Sequence, residues 1–297
     1  VPPTNQLLVN AELLAQAPNL DVHYIAYDDP PAVRQARRHG ALTPELAAQC
    51  PALTEQDEEA LARADVVIAR DLPLNLETRA PQLRWVQAVG AGIEQLDPPG
   101  LASLGITLTN ASGVAAAPIA EFVIARLLSI WKNLPALDQL QRDRVWKRQN
   151  TQLVAGKTLG IVGLGAIGRA TAARARAFDM QVVGTSRRAS GGAADPDVDQ
   201  LFSLERLDEM LGQCDAVLAS MPSTPDTVGY FGARRFAEFK PGAVFCNVSR
   251  GAIVDEAALL EALDKGCPAA AVLDVTAVEP NPTTSPLWAH PNVYLSP

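Results

Sequence analysis

Histidine is scarce: three in 297 residues, His23, His39 and His290, which leaves few candidates for proton chemistry near neutral pH. The four cysteines, Cys50, Cys214, Cys246 and Cys267, have no short paired spacing. That removes the usual zinc and redox motifs and reads them as small apolar residues in a reducing compartment, with no metal expected. There is no run of about 18 apolar residues and no charged, apolar, small-residue leader, so neither a membrane span nor an export signal is expected. A soluble protein of the cytoplasm is the expectation. Positive charge is also short: the net charge of −8 argues against a general nucleic-acid binder and leaves any phosphate to be met by a local basic site. Residue 1 is valine, and "PPTNQLLVNAELLAQAP" reads as a helix without the strand that normally opens an α/β domain, which suggests residues missing from this end. No internal repeat or long low-complexity tract is visible.

What is present is a hydrophobic content of 48%, ample for two cores, in a chain longer than most single domains. Short β-branched runs alternate with helix-period runs, the pattern of βαβ units around a mainly parallel sheet. In a first domain, residues 1–112, the expected strands are Leu20–Tyr27, Ala64–Ala69, Leu83–Ala88 and Ile106–Asn110, with helices over Ala32–His39 and Glu55–Arg63. From Ala115 to Leu134 a helix is apolar around most of its circumference, so it is expected to bridge domains or lie in a subunit interface. The charged stretch "PALDQLQRDRVWKRQN" that follows reads either as a solvated arm or as an arm packing on a partner subunit. Residues 113–297 then form one doubly wound α/β domain. Its expected strands are "TLGIV", "MQVVGT", "DAVLAS", "GAVFCN", "AAAVLD" and "NVYLS", and a Gly/Ala/Asp/Pro loop follows the second.

"GIVGLGAIG" sets Gly163, Gly165 and Gly168 as GxGxxG directly between a strand and a helix. In that context the first glycine permits a tight turn, the second lets backbone approach a pyrophosphate, and the third lets helix and strand pack closely. The helix start, at Ala166 and Ile167, offers N–H groups to the anion. The next strand ends in "VVGTSRR". A carboxylate is expected there for NAD, accepting from the adenosine ribose. Ser186, Arg187 and Arg188 stand in its place and would grip a 2′-phosphate through charge-assisted bonds of about 1.5 to 3 kcal/mol each. NADP(H) is therefore favoured over NAD(H).

Arg250 follows the strand "GAVFCN", and Asp274 follows "AAAVL" with Glu279 five residues beyond. Both places are carboxyl strand ends, where open α/β sheets bind ligands. An ion pair within the scaffold is the alternative. Arg70, at the end of a first-domain strand, reads as a second substrate cation or as a surface arginine.

With these residues in view, the chain resembles the D-isomer-specific 2-hydroxyacid dehydrogenases. "GIVGLGAIG", "MPSTPDTVGYF", "FKPGAVFCNVSRGAIVDEAALLEAL", "LDVTAVEP" and "HPNVYLSP" occur in the family's order, and "SRR" is similar to its NADPH-preferring glyoxylate and hydroxypyruvate reductases. The resemblance implies a Rossmann-type doubly wound parallel sheet, a smaller flavodoxin-like α/β substrate domain with a cleft between the two, and a homodimer. It implies that Arg250 binds the substrate carboxylate and polarises the carbonyl, and that Glu279 pairs with a catalytic histidine. Asp274 would hold the nicotinamide carboxamide, Pro222, Thr227 and Val248 would line the cofactor, and the backbone at Val89, Gly90 and Ala91 would receive the substrate carboxylate. The family's histidine is expected directly after Pro297, outside this chain, together with a short segment returning to the first domain. His290 lies in the loop before the last strand and reads as a bystander. Two other functions share the fold: a nucleotide-sensing, co-repressor-like scaffold, and an enzyme acting on phosphite or formate. Arg250 with Glu279 argues against the first.

Overall fold

A computed structural model of the protein describes residues 19–38, 40–185 and 194–296. The chain divides into two compact units, Val1–Ser112 and Gly113–Pro297.

In the first unit α1 (Pro31–Arg38), α2 (Pro44–Ala47) and α3 (Glu55–Ala62) precede β1 (Val66–Ala69). Then come α4 (Leu76–Arg79), β2 (Trp85–Ala88), α5 (Pro98–Ser103) and β3 (Thr107–Thr109). Thr54 and Asp57 form a reciprocal capping box that starts α3. The strands make a parallel sheet in the order β1-β2-β3. One face holds a core that includes Leu61, Leu72, Val86, Ala88, Leu96 and Leu101. The expected strand Leu20–Tyr27 does not form. Its β-branched and aromatic residues favour extension, but among the described residues β1 pairs only with β2 and the segment has no ladder partner, and Leu20, Val22 and Tyr24 are exposed. The opening segment read as a helix, and His39, lie outside the described residues.

The second unit begins with α6 (Ala116–Trp131) and α7 (Leu134–Arg142). The buried side of α6, Ala120, Val123, Ile124, Leu127 and Trp131, is a single helical stripe. The rest of its apolar circumference is only half-buried or exposed in the single chain. The "PALDQLQR" stretch, read as interrupted, is helical as part of α7.

The alternation that follows is β4 (Thr158–Val162), α8 (Ala166–Arg176), β5 (Gln181–Thr185), β6 (Gln200–Phe202), α9 (Leu207–Leu211), β7 (Ala216–Ala219), α10 (Ala233–Phe236), β8 (Val244–Asn247), α11 (Glu256–Asp264), β9 (Ala270–Leu273) and β10 (Val293–Leu295). All seven strands are parallel, in the order β10-β9-β8-β7-β4-β5-β6. Sequence reading missed β6, which lies beside the Gly/Ala/Asp/Pro loop and pairs only three residues with β5.

Continuous apolar runs suit strands buried on both faces. Val217, Ala219, Phe245, Ala271 and Leu273 enter one core, whereas Leu218, Val244, Cys246, Ala270 and Val272 enter the other. Phe245 sits wholly buried in the first core, with ring centroids 4.9 Å from Phe231, 5.5 Å from Phe236 and 5.8 Å from Phe239. Truncating it removes the centre of that cluster. Phe245→Ala is expected to lower unfolding free energy by about 3–5 kcal/mol, read from the denaturant midpoint at unchanged slope.

Candidate active site

Strand order reverses beside β4, whose neighbours are β5 on one side and β7 on the other. The carboxyl ends of β4 and β7 therefore border a crevice, the ordinary ligand position of an open parallel sheet. The glycine turn occupies it. Gly163 has φ of +104°, and a Cβ there would lie 2.7 Å from the Met221 nitrogen, so only glycine fits. A Cβ on Gly168 would come 2.6 Å from the Gly163 carbonyl oxygen. Gly165 is different: among the described residues nothing lies within 4 Å of its Cβ position, and it and Ala166 are exposed. No side chain caps α8 at Gly165, so the first-turn N–H groups of Ala166 and Ile167 face an open approach. This arrangement fits the pyrophosphate of a dinucleotide. Ser186, Arg187 and Arg188 lie outside the described residues.

The loop after β7 is closed on itself. The Thr227 hydroxyl donates to the Pro222 carbonyl at 2.9 Å and accepts from the Thr224 N–H at 2.7 Å, while Ser220 Oγ donates to the Gly163 carbonyl at 2.8 Å. The Gly229 and Phe231 N–H groups donate to the Ala252 and Ile253 carbonyls at 2.8 and 2.9 Å, tying this loop to the one after β8. Val248 is buried, and its N–H bonds the Ala219 carbonyl at 3.2 Å.

Arg250 is half-buried just beyond β8, and one of its guanidinium nitrogens donates to the Ser249 carbonyl at 2.7 Å. The next residue explains its placement. A Cβ on Gly251 would stand 1.9 Å from the Thr276 carbonyl oxygen, so the loop after β8 lies directly on the loop after β9. In that second loop Glu279 Oε1 accepts from the Thr276 N–H at 3.3 Å, and the Asp274 N–H donates to the Asn247 carbonyl at 3.0 Å. Burial pushes the Asp274 carboxyl above its ordinary value, and the negative charge of Glu279 adds to the shift. A cation and two acids thus share one sheet edge. His290 serves the turn before β10: its Nδ1 accepts from the Asn292 N–H at 3.2 Å, and Nε2 is 3.4 Å from Asp264.

In the first unit Val89, Gly90 and Ala91 turn away from β2. Val89 N–H bonds the Ala69 carbonyl at 3.1 Å, and the Gly90 and Ala91 carbonyls accept from Ala111 N–H at 3.1 Å and Asn110 Nδ2 at 2.8 Å. Arg70 is half-exposed and ion-paired with Asp28. Sequence reading missed the buried pair beside it. Asp71, 3% exposed, is gripped by Arg34 at 2.9 and 2.6 Å. Burial alone would raise its carboxyl, but the Arg34 hydrogen bonds and charge hold it below the usual range. An acid two residues beyond the end of a β-branched strand was the available signal. His23 bonds Asp57 at 3.0 Å on the surface, not within a strand. Glu121, on α6, is exposed and pairs with Arg174 at 2.8 Å. Among the described residues no His, Cys, Asp or Glu cluster is placed to hold a metal ion, and no helix is long and apolar enough to cross a membrane.

The family profile described as "D-isomer specific 2-hydroxyacid dehydrogenase, NAD binding domain" matches residues 124–297, more than half of the chain. This protein belongs to the D-isomer specific 2-hydroxyacid dehydrogenase family. Among relatives, glyoxylate/hydroxypyruvate reductase B of Citrobacter koseri is 34% identical over 258 residues, 83% of this chain and 78% of that protein. D-3-phosphoglycerate dehydrogenase of Mycobacterium tuberculosis is 35% identical over 243 residues, 80% of this chain but 45% of that protein. The chain therefore spans about half the length of the D-3-phosphoglycerate dehydrogenases it matches. Among solved structures, the NADPH-dependent glyoxylate/hydroxypyruvate reductase of Sinorhizobium meliloti, with NADP and sulfate, matches with a TM-score of 0.71 at 30% identity, covering 79% of this chain and 75% of that one.

The Asp274 environment gives a pH-dependent expectation. Its carboxyl binds a proton more tightly in the native state than in the unfolded chain, so stability falls as pH rises from 3.8 through the raised native value and the penalty is complete above that value. Partial exposure keeps it small. Asp274→Asn is expected to raise the melting midpoint of the ligand-free protein by on the order of 2 °C at pH 7. The difference should vanish below pH 3.8, where Asp274 is protonated in both states, as followed by circular dichroism.

Proposed function

We propose that this protein reduces small 2-oxo acids, of the glyoxylate or hydroxypyruvate kind, to D-2-hydroxy acids with NADPH. One observation carries the reading: the open glycine turn after β4 shares a sheet edge with Arg250 after β8 and with Asp274 and Glu279 after β9. The backbone of Gly163, Gly165, Ala166, Ile167 and Gly168 would hold the pyrophosphate. Pro222, Thr227, Val248 and Asp274 would hold the nicotinamide half, and Ser186, Arg187 and Arg188 the 2′-phosphate. When bound, the reduced nicotinamide supplies a hydride. The NADPH dependence of the Sinorhizobium meliloti protein supports this choice over NADH.

Arg250 does the chain's electrostatic work. Its permanent positive charge forks onto the substrate carboxylate and offsets the negative charge that builds on the carbonyl oxygen. Val89, Gly90, Ala91 and Arg70 are assigned to substrate binding, which makes the first unit the substrate domain and residues 113–297 the nucleotide domain. In this reading Glu279 favours the imidazolium form of the family histidine that follows the "NVYLSP" motif, keeping a proton available near neutral pH. The free thiols of Cys50, Cys214, Cys246 and Cys267 suit a reducing cytoplasm. Exposed Leu134, Leu137 and Trp146, on and just after α7, suit a homodimer contact.

Initial rates on the full-length protein test the proposal. NADPH is expected to be oxidised with glyoxylate or hydroxypyruvate, with kcat/KM about tenfold to a hundredfold above that for NADH. Arg187→Ala with Arg188→Ala should erase that preference, and Arg250→Ala should lower kcat/KM by about 10² to 10³ while the fold persists. No oxidation across a panel of short 2-oxo acids contradicts the proposal.

A further inference from the structure

We infer that Asn247 is the positioning residue of the site, setting the direction of Arg250 toward the 2-oxo acid. The inference rests on the assignment of Arg250 to the substrate. Asn247 ends β8 after three apolar residues, Val244, Phe245 and Cys246, and is 0% exposed. A buried amide is tolerated only where its hydrogen bonds are made. Asn247 makes three, all to the two residues that lead to and carry the cation. Its Oδ1 accepts from the Ser249 N–H at 3.1 Å and from Ser249 Oγ at 2.9 Å, and its Nδ2 donates to the Arg250 carbonyl at 3.0 Å.

These bonds close a ring around residues 247–250 and leave Arg250 extended, at φ −142° and ψ 144°. On its other side the Asn247 carbonyl accepts from the Asp274 N–H at 3.0 Å. One buried residue therefore indexes both charged loops to the end of β8. Amide chemistry is required for this. Aspartate would keep the acceptor toward Ser249 but would set a second oxygen against the Arg250 carbonyl, so the turn must open and carry Arg250 with it.

The test compares wild type, Asn247→Asp and Ser249→Ala in the full-length protein. Its readouts are steady-state kinetics with glyoxylate, calorimetric binding of oxamate to the NADPH complex, NADPH binding, and melting temperature. Misplacing a substrate-binding group by about 1 Å costs up to about a hundredfold. For Asn247→Asp, KM for glyoxylate and Kd for oxamate are expected to rise roughly tenfold to a hundredfold and kcat to fall, with NADPH affinity within about twofold of wild type. Ser249→Ala, which keeps the N–H bond and loses only the hydroxyl bond, should move the same quantities less and in the same direction.

Wild-type oxamate affinity and KM in Asn247→Asp overturn the inference. So does loss of oxamate and NADPH binding together, in step with lost stability, while Ser249→Ala behaves as wild type. A wild-type protein that reduces no 2-oxo acid overturns the functional reading instead, and oxamate binding then decides the role of Asn247 alone. Absence of oxamate binding to wild type counts against it.

Discussion

A Cβ at residue 251 would stand 1.9 Å from the Thr276 carbonyl oxygen, well inside any tolerable contact, so only glycine lets the loop after β8 rest on the loop after β9. The charged chemistry of the second unit depends on that contact. Arg250 precedes the glycine, and Asp274 and Glu279 flank the segment it touches. Parallel pairing of β8 with β9, in register from Val244 with Ala270 to Asn247 with Leu273, delivers both loops to one edge. Gly251 then removes the space between them. The raised Asp274 carboxyl is a consequence: an acid brought into a crowded edge beside Glu279 is partly desolvated and repelled.

Glycine acts differently two strands along the same edge, at the end of β4. At Gly163 and Gly168 it is required by close backbone neighbours, whereas at Gly165 it leaves open space. Packing glycines on either side hold an accessible glycine between them, and the helix start behind it carries N–H groups and the positive end of the α8 dipole. The loop after β7, closed by Thr227 and joined to the turn by Ser220, borders the same crevice. Among the described residues none lies within 4 Å of the Gly165 Cβ position, which leaves room for an anion to approach.

Much of this was legible in the residues. The spacing of Gly163, Gly165 and Gly168 after "TLGIV" marked the turn, and apolar runs such as "VFC" and "AAVL" marked strands buried on both faces. Arg250 and Asp274 stood directly after such runs, which placed them at strand ends. What escaped reading depends on partners distant in the chain. Among the described residues, Leu20–Tyr27 has strand composition but no neighbour to pair with, and β6 is three residues long with β5 as its only ladder partner. Asn247 looks like an ordinary strand end until its amide is seen bonded to Ser249 and Arg250. The buried Asp71 gains its meaning only from Arg34, 37 residues earlier.

We propose that this sheet edge directs hydride to the carbonyl carbon of a 2-oxo acid. Label transfer tests it most directly. NADPH carrying deuterium at both C4 positions of the nicotinamide is incubated with hydroxypyruvate and the full-length protein, and the product is analysed by NMR. The account predicts deuterium bonded to C2 of glycerate of D configuration. Consumption of NADPH without label at C2, or glycerate of the opposite configuration, would contradict it.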